Sequence, residues 1–407
     1  MASRNRIGRR EFIAASAGAL TAGLGSACGR VPRSEIEEAA AKVGHIPQRV
    51  LDRSGRKVSV LIGAADDWPP EVVEAGILCG VNYWHKSDKW DRDEVPQAIL
   101  ENREAHYCEI CVDRVHGNHE RGVIDEEAFY QYVKQAIERS GLRYYDDMLS
   151  PHFGYHHTAE IKGNPGAIRA FDRLKKEGLV HHLCISQHNY KGNARVPEAE
   201  DRVLILNALV EGGLYEHAQF FFSFGDEEEI NKFVSLAKTK GFGTTAMKTT
   251  RGAARMQADS EFMKQIPAGT TPHHALARWL TTATDLSNAV IRIHSLDQFV
   301  DTYSGAGKPL RAADARAIEM MTAYANQEVC RLCNDCMSHC AQGVAIADIL
   351  RYERYAVDYG DREGARRLYA QLDKRGDSCQ VCGSCLPHCP QGLNIPAKLA
   401  DAHRLLS

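Results

Sequence analysis

The chain of 407 residues has no apolar run long enough to span a bilayer, no surplus of basic residues and no G-x-G-x-x-G loop after an early strand. A spanning helix needs about 18 or more apolar residues, and the N-terminal stretch of small and apolar residues runs only from Ala14 to Leu24. A membrane-spanning anchor is therefore not expected. The formal charge of -3 leaves no basic surface for nucleic acid. The missing glycine loop disfavours an open, doubly wound dinucleotide fold, and no flavin motif is visible. With 44% hydrophobic and 25% charged residues the chain is an ordinary globular one, long enough for two domains or for one large barrel with an appendage.

What the sequence has in excess is cysteine, 13 in all, and eight of these form two bursts. Cys330-x2-Cys333-x2-Cys336-x3-Cys340 is repeated as Cys379-x2-Cys382-x2-Cys385-x3-Cys389, at a constant offset of 49 residues. Three thiolates spaced by two residues can wrap one corner of an iron-sulfur cube, while the fourth reaches the partner cube. This spacing predicts Cys330, Cys333, Cys336 and Cys389 on one [4Fe-4S] cluster, and Cys379, Cys382, Cys385 and Cys340 on the other. A disulfide framework is the plain alternative, but it has no need of two identical spacings. Structural zinc usually takes two separated C-x2-C pairs per site. Cys79, Cys108, Cys111 and Cys184 lie in or beside apolar runs, and Cys79, Cys108 and Cys184 read as buried free thiols, which behave as small hydrophobes.

Residues 1–27 read as an export signal: Arg9-Arg10 before a short apolar stretch and small residues indicate the twin-arginine route, which suits a protein that folds around its cofactor before export. Removing them takes four arginines and one glutamate, a net of three positive charges, and leaves a body of formal charge -6. The expected location is periplasmic or elsewhere in the outer cell envelope. Cys28 is also where a lipoprotein would be acylated, the one membrane attachment the sequence suggests, although Gly25 stands where an aliphatic residue is usual. Residues 28–45 read as a linker with an Ala/Glu-rich helical spacer from Glu35 to Lys42.

From Lys57 to about Ser304, apolar runs alternate with helical patterns. Strands are expected at Val58–Ile62, Gly80–Trp84, His106–Val112, Tyr144–Ser150, Val180–Ile185, Ala218–Phe222, Gly243–Met247 and Ala289–Ile293. The clearest helices are Glu126–Arg139, Pro165–Glu177, Glu198–Glu211, Glu227–Lys240 and Pro272–Thr282. Eight such pairs have the size and rhythm of an α/β (β/α)8 TIM barrel, placed at residues 46–306, with a small helical two-cluster domain at 307–407. In a barrel of this kind the active face lies at the C-terminal ends of the strands. His85, His152, His188 and His294 follow strands there, and Asp113 and Lys248 stand at the ends of two more. The adjacent pairs His156-His157, His181-His182 and His273-His274 read as surface or packing residues.

Ile46 to Leu61, Gly80-Val81-Asn82-Tyr83-Trp84, Lys175 to Asn189 and Ala246-Met247-Lys248 resemble, in order, the opening hairpin and the second, fifth and seventh strands of the aldo/keto reductase family. With the cysteine bursts, residues 46–405 resemble aldo/keto reductase-like proteins carrying a C-terminal ferredoxin-type domain. The resemblance implies a TIM barrel, a small carbonyl or sugar-like alcohol as substrate, NADP(H) as cofactor, and Ser186, His188, Lys248 and His294 on the cofactor side. It also exposes departures. His85 stands at the family's aspartate, Trp90 at its tyrosine, Cys111 near its lysine, and Pro151 or His152 at its histidine. An indole N-H cannot protonate an alkoxide. Ile293 to Gln298 lacks the lysine or arginine that many members use for the cofactor's phosphate, and a free nicotinamide pool is not expected outside the cytoplasm.

Three readings follow. In the first, an oxidoreductase works on a small molecule at the barrel mouth, with His85 or His152 as acid or base beside Asp113, and the clusters relay electrons to a redox partner protein. In the second, two or three of His85, His152, His188 and His294, with Asp113, bind a divalent metal for Lewis-acid chemistry. In the third, the barrel is an inactive scaffold for an electron-transfer domain.

Overall fold

In the computed structural model, which describes residues 31–64, 68–85, 95–112, 125–151, 154–162, 165–188 and 198–407, ten short strands are formed. The export segment, Cys28, Trp90, Asp113 and His152 lie outside the described residues. β1 (Gln48–Val50) and β2 (Lys57–Ser59) make an antiparallel hairpin. The other eight are β3 (Leu61–Ala64), β4 (Tyr83–His85), β5 (Tyr107–Cys111), β6 (Tyr145–Leu149), β7 (Val180–Gln187), β8 (His217–Phe221), β9 (Gly243–Met247) and β10 (Asn288–Ile291). They close into one parallel barrel in sequence order, with β10 pairing back onto β3. The chain is thus an α/β (β/α)8 barrel followed by a helical cysteine-rich region.

One expected strand is corrected. Val58–Ile62 is two elements, because the chain leaves the hairpin at Ser59 and enters the barrel at Leu61. The apolar run is continuous, but its hydrogen-bonding partner changes from β1 to β4 and β10. The helix expected from Glu198 begins at Arg202, where the Asp201 side chain caps it by accepting from the Val203 amide. Gly141 closes the helix Glu126–Ser140 at φ 73, the left-handed conformation of a C-cap.

Alternation along the strands sends one set of side chains to the helices and the other into the barrel. On β8, Ala218 and Phe220 join the outer core, whereas His217 and Gln219 are buried on the opposite face. Gly63 on β3 has no side chain because the Trp84 ring already fills the place a Cβ would take. Helix Arg33–Val43, inside the segment expected as a spacer, buries Ile36 and Val43 in the barrel's outer core. Helix Ala312–Glu328 does the same with Ala317, Met321 and Ala325.

Under the start of β5, the Trp84 indole N-H donates to His106 Nδ1 at 3.1 Å. That nitrogen must stay unprotonated to accept, and burial with the nearby Arg103 guanidinium lowers the His106 pKa to about 4. Between about 4 and the ordinary value of about 6.5, the unfolded chain holds a proton that the native state refuses. Stability should therefore fall as pH drops through this window, by on the order of 3 kcal/mol in full. Urea unfolding across pH 4 to 7 should show this slope in the wild type and a flatter one in His106→Asn, which keeps an acceptor and cannot take the proton.

Candidate functional site

A cavity of about 450 Å³ opens at the C-terminal ends of the strands. His85 from the end of β4, His188 after β7, Lys248 after β9 and His294 after β10 all line it. Ser186 does not: it is wholly buried beneath the mouth, its hydroxyl 3.9 Å from the Met247 sulfur. Of the residues expected at the site, four are brought together, one lies below, and Asp113 and His152 are not described.

A buried column of polar groups runs up the barrel interior beneath His85. Arg56, from β2's approach in the hairpin, donates from Nη1 to both oxygens of Asp147 at 2.9 and 2.7 Å, and from Nη2 to Asp52 at 2.6 Å. The Tyr83 hydroxyl lies 2.8 Å from Asp147 Oδ2 and 2.7 Å from Glu109 Oε2. Glu109 Oε1 in turn holds His85 Nδ1. Tyr83 has one proton for two carboxylates, so it donates to one at a time. Burial and the flanking carboxylates push its pKa well above the ordinary value. Asp147 goes the other way: despite the penalty of full burial, the Arg56 guanidinium lowers it to about 2.

The glutamate contact orients the imidazole and assigns its tautomer, leaving Nε2 as the nitrogen for proton exchange with a ligand in the cavity. Glu109 was not singled out by sequence reasoning, although a signal existed. A carboxylate inside the apolar run Tyr107–Cys111 is out of place on a strand buried on both faces. The same holds for Asp147 within β6.

Arg292 and His273 were also missed. Arg292 lines the cavity one residue before the segment that lacks a basic side chain, with its guanidinium 5.4 Å from the Tyr359 ring centre. His273, expected as a surface or packing residue, is buried, bonds Gln257 at 2.6 Å and reaches the same cavity. Lys248 adopts φ 57 and places its ammonium 4.6 Å from the Phe221 ring centre. Lys248, Arg292 and Arg367 line the cavity together with two carboxylates, Asp358 and Asp361.

The cysteine-rich region forms the roof. Tyr355 and Asp358 from helix Ile346–Asp358, the following Tyr359, and Arg367 from helix Arg362–Ala370 face the strand ends across the cavity. Arg255, on barrel helix Ala253–Ala258, clamps the roof by donating to Glu353 at 2.9 and 2.7 Å and to Asp358. Phe221 and Met247 of the barrel share one apolar cluster with Leu332, Cys336 and Met337 of the first cysteine loop and Leu350 of helix Ile346–Asp358.

The two cysteine loops repeat each other in backbone as well as in sequence. Leu332 and Asn334 have φ of 61 and 68, and their counterparts 49 residues on, Val381 and Gly383, have 54 and 78. Left-handed residues turn amides toward the sulfurs: Leu332 N donates to Cys330 Sγ at 3.3 Å. Cys330, Cys333, Cys336 and Cys389 line one cavity, and burial together with the neighbouring thiols raises the Cys336 pKa. Cys340, Cys379 and Cys382 are the thiols that act electrostatically on Cys385. The rings of His339 and His388 stack between the loops, 3.2 Å apart.

Two observations fit an anionic group held by the first set. Arg354, beside Cys330, is buried, and while its Nε pairs with Asp358 at 3.6 Å its Nη2 has no hydrogen-bond partner; the buried Asn334 amide lining that cavity is likewise unpartnered. None of the described cysteines is in a disulfide. Tetrahedral zinc would gather thiolates about 3.8 Å apart. Among the described residues, no cysteine trio lies within 4.8 Å, so the loops hold their sulfurs wider than a zinc site does. No trio of ligand atoms that close forms at the mouth either among the described residues, which do not include Asp113 and His152. Removing the clamp with Arg255→Leu should leave the largely buried Glu353 unpaired and Asp358 with only Arg354, 3.6 Å away, and cost about 3 kcal/mol. Denaturant unfolding should report the loss, and limited proteolysis should cut the 346–370 roof first.

No protein-family model matches the chain, and no curated protein matches it. Solved structures that resemble it include aldo-keto reductase AKR11C1 from Bacillus halodurans, at 16% identity over 68% of this chain and 96% of that one, with a TM-score of 0.48. Another is an aldo-keto reductase from a Medee basin deep-sea metagenome library, at 15% identity over 67% of this chain and 94% of that one, with a TM-score of 0.46.

Proposed function

We propose that the chain is an exported oxidoreductase that acts on a small carbonyl or sugar-like alcohol in the mouth cavity, with two [4Fe-4S] clusters relaying electrons between this cavity and a redox partner. The observation that carries this reading is that one helix, Ile346–Asp358, lines both places. Ile346, Ala347 and Leu350 face the first cysteine cavity, while Tyr355 and Asp358 face the mouth. Leu350 and Tyr355 are five residues apart, about 7.5 Å along the helix axis. A scaffold with an unrelated electron-transfer domain has no need of this shared wall.

Cys330, Cys333, Cys336 and Cys389 would hold the inner cluster, and Cys340, Cys379, Cys382 and Cys385 the outer. When bound, each cluster supplies a one-electron carrier, and two match the two electrons exchanged between an alcohol and its carbonyl. The side chains handle the two protons that leave with the two electrons. His85, held at Nδ1 by Glu109, would take the hydroxyl proton at Nε2, and His188 or His294 at the same mouth would take the proton from the carbon, both being returned in the reverse direction. Tyr83 and Glu109 stabilise the imidazolium that forms. Lys248 and Arg292, at the strand ends, can meet a carboxylate or phosphate on the ligand, and Tyr355 and Tyr359 shield it from water. Cys382 is exposed, with Val381 and Leu386 exposed beside it, so the outer set is the one a partner protein can approach.

Anaerobic analysis of the mature protein should find about eight irons per chain with matching sulfide. On reduction, Cys330→Ala and Cys389→Ala should abolish the same EPR signal, and Cys340→Ala the other. A colourless protein would overturn the cluster reading. Saturable fluorescence titration with NADPH would make nicotinamide the electron carrier at the mouth instead. With any alcohol that reduces the clusters, His85→Gln and Glu109→Gln should each slow turnover by roughly 10²–10⁴-fold, leaving iron content unchanged.

A further inference from the structure

We propose that the barrel interior holds a divalent metal ion of the zinc class, ligated by Asp147, Cys184 and His217 below the floor of the mouth cavity. These residues come from three successive strands, β6, β7 and β8, and are fully buried. A carboxylate oxygen, the thiol sulfur and an imidazole nitrogen lie within 4.8 Å of one another. Tetrahedral zinc would hold such atoms about 3.3–3.7 Å apart, a modest closure from this arrangement. Thiolate, imidazole and carboxylate together suit zinc among the divalent ions.

A second, independent observation points to the same place. Neither ring nitrogen of His217 has a hydrogen-bond partner, although the residue is entirely buried. Buried imidazoles in a satisfied interior bond at least one nitrogen. Two residues up the same face, Gln219 Oε1 is also buried and unpartnered, and so is Thr245 Oγ1 on the strand beside it. Gln219 reaches the mouth cavity, which places the trio just under its floor and offers a further oxygen donor.

Charge gives a third reason. Asp52, Asp147 and Glu109 have no exposed side-chain surface, and among the described residues Arg56 is the only arginine or lysine bonded to any of them. Their formal sum is -2, or -1 with His85 protonated. A divalent cation that displaces one thiol proton adds a net single positive charge, which reduces what a single guanidinium leaves over. The exchange also balances locally. The Cys184 thiol now points its proton at Asp147 Oδ1, 3.3 Å away. The ion takes the place of that proton, which leaves as the thiolate forms. Asp147 Oδ2 keeps Arg56 and Tyr83. The ion would thereby stiffen the column that positions His85 and does not depend on the cysteine loops being iron-loaded.

The test uses the full chain, produced in zinc-supplemented medium and dialysed against a chelator, with elemental analysis and zinc K-edge X-ray absorption. The expected result is about one zinc per chain that survives dialysis. Its shell should contain one sulfur near 2.3 Å and two or three nitrogen or oxygen atoms near 2.0–2.2 Å. Cys184→Ser should remove the sulfur contribution and His217→Ala should remove the zinc, with iron unchanged in both. The wild-type spectrum decides even where a variant folds poorly. Three results would overturn the proposal: zinc at trace level only, as when ordered water fills the site; an all-sulfur shell, which places zinc in the cysteine loops; or zinc retained undiminished in both variants.

Discussion

An ionised carboxylate in the middle of a closed barrel must be met by a cation, and the rest of this interior follows from the way Asp147 is met by Arg56. The guanidinium arrives from the hairpin that closes the barrel's lower end, so the plug and the charge partner are the same element. With Asp147 ionised, Tyr83 sits between it and Glu109, and Glu109 can hold His85 at the mouth. Packing alone would not require this order. A barrel of this size fills equally well with branched aliphatics, so a polar column is a costly choice that a reacting group above it can explain.

The mouth is also unusual in what covers it. Loops at the strand ends supply part of the wall, and helices from the cysteine-rich region supply the rest. The Arg255 clamp and the shared apolar cluster around Phe221, Met247 and Leu332 make that roof part of the barrel's own structure. Arg331 adds a tie, pairing with Asp226 at 3.1 Å on the barrel side. A ligand in the cavity therefore touches both parts of the chain.

Chain-local features are legible in the order of residues alone. Alternation of apolar runs with amphipathic helices marks the barrel, because burial on one face imposes a period that the sequence cannot hide. The repeated cysteine spacing marks the two loops, and the left-handed residues at Leu332 and Val381 stand at equivalent points of that repeat. Errors arise where a neighbour decides. Val58–Ile62 reads as one strand, and only the switch of ladder partners splits it. His273 reads as packing until helix Pro272–Thr282 is docked against the mouth. Glu109 and Asp147 stand out as charges within apolar strands, but their partners do not, since Arg56 and Asp147 are 91 residues apart.

Covalent spacing and local periodicity specify the parts: the eight strands and their helices, the two cysteine loops, and histidines at strand ends. How those parts meet is a property of the folded chain. It selects which histidines share a cavity, sets Glu109 behind His85, lays a helix of the cysteine-rich region over the mouth, and gathers Asp147, Cys184 and His217 inside the barrel. Contacts of that kind are made by closing a sheet and docking a second region upon it, and no pattern along the chain encodes which distant side chains the closure brings together.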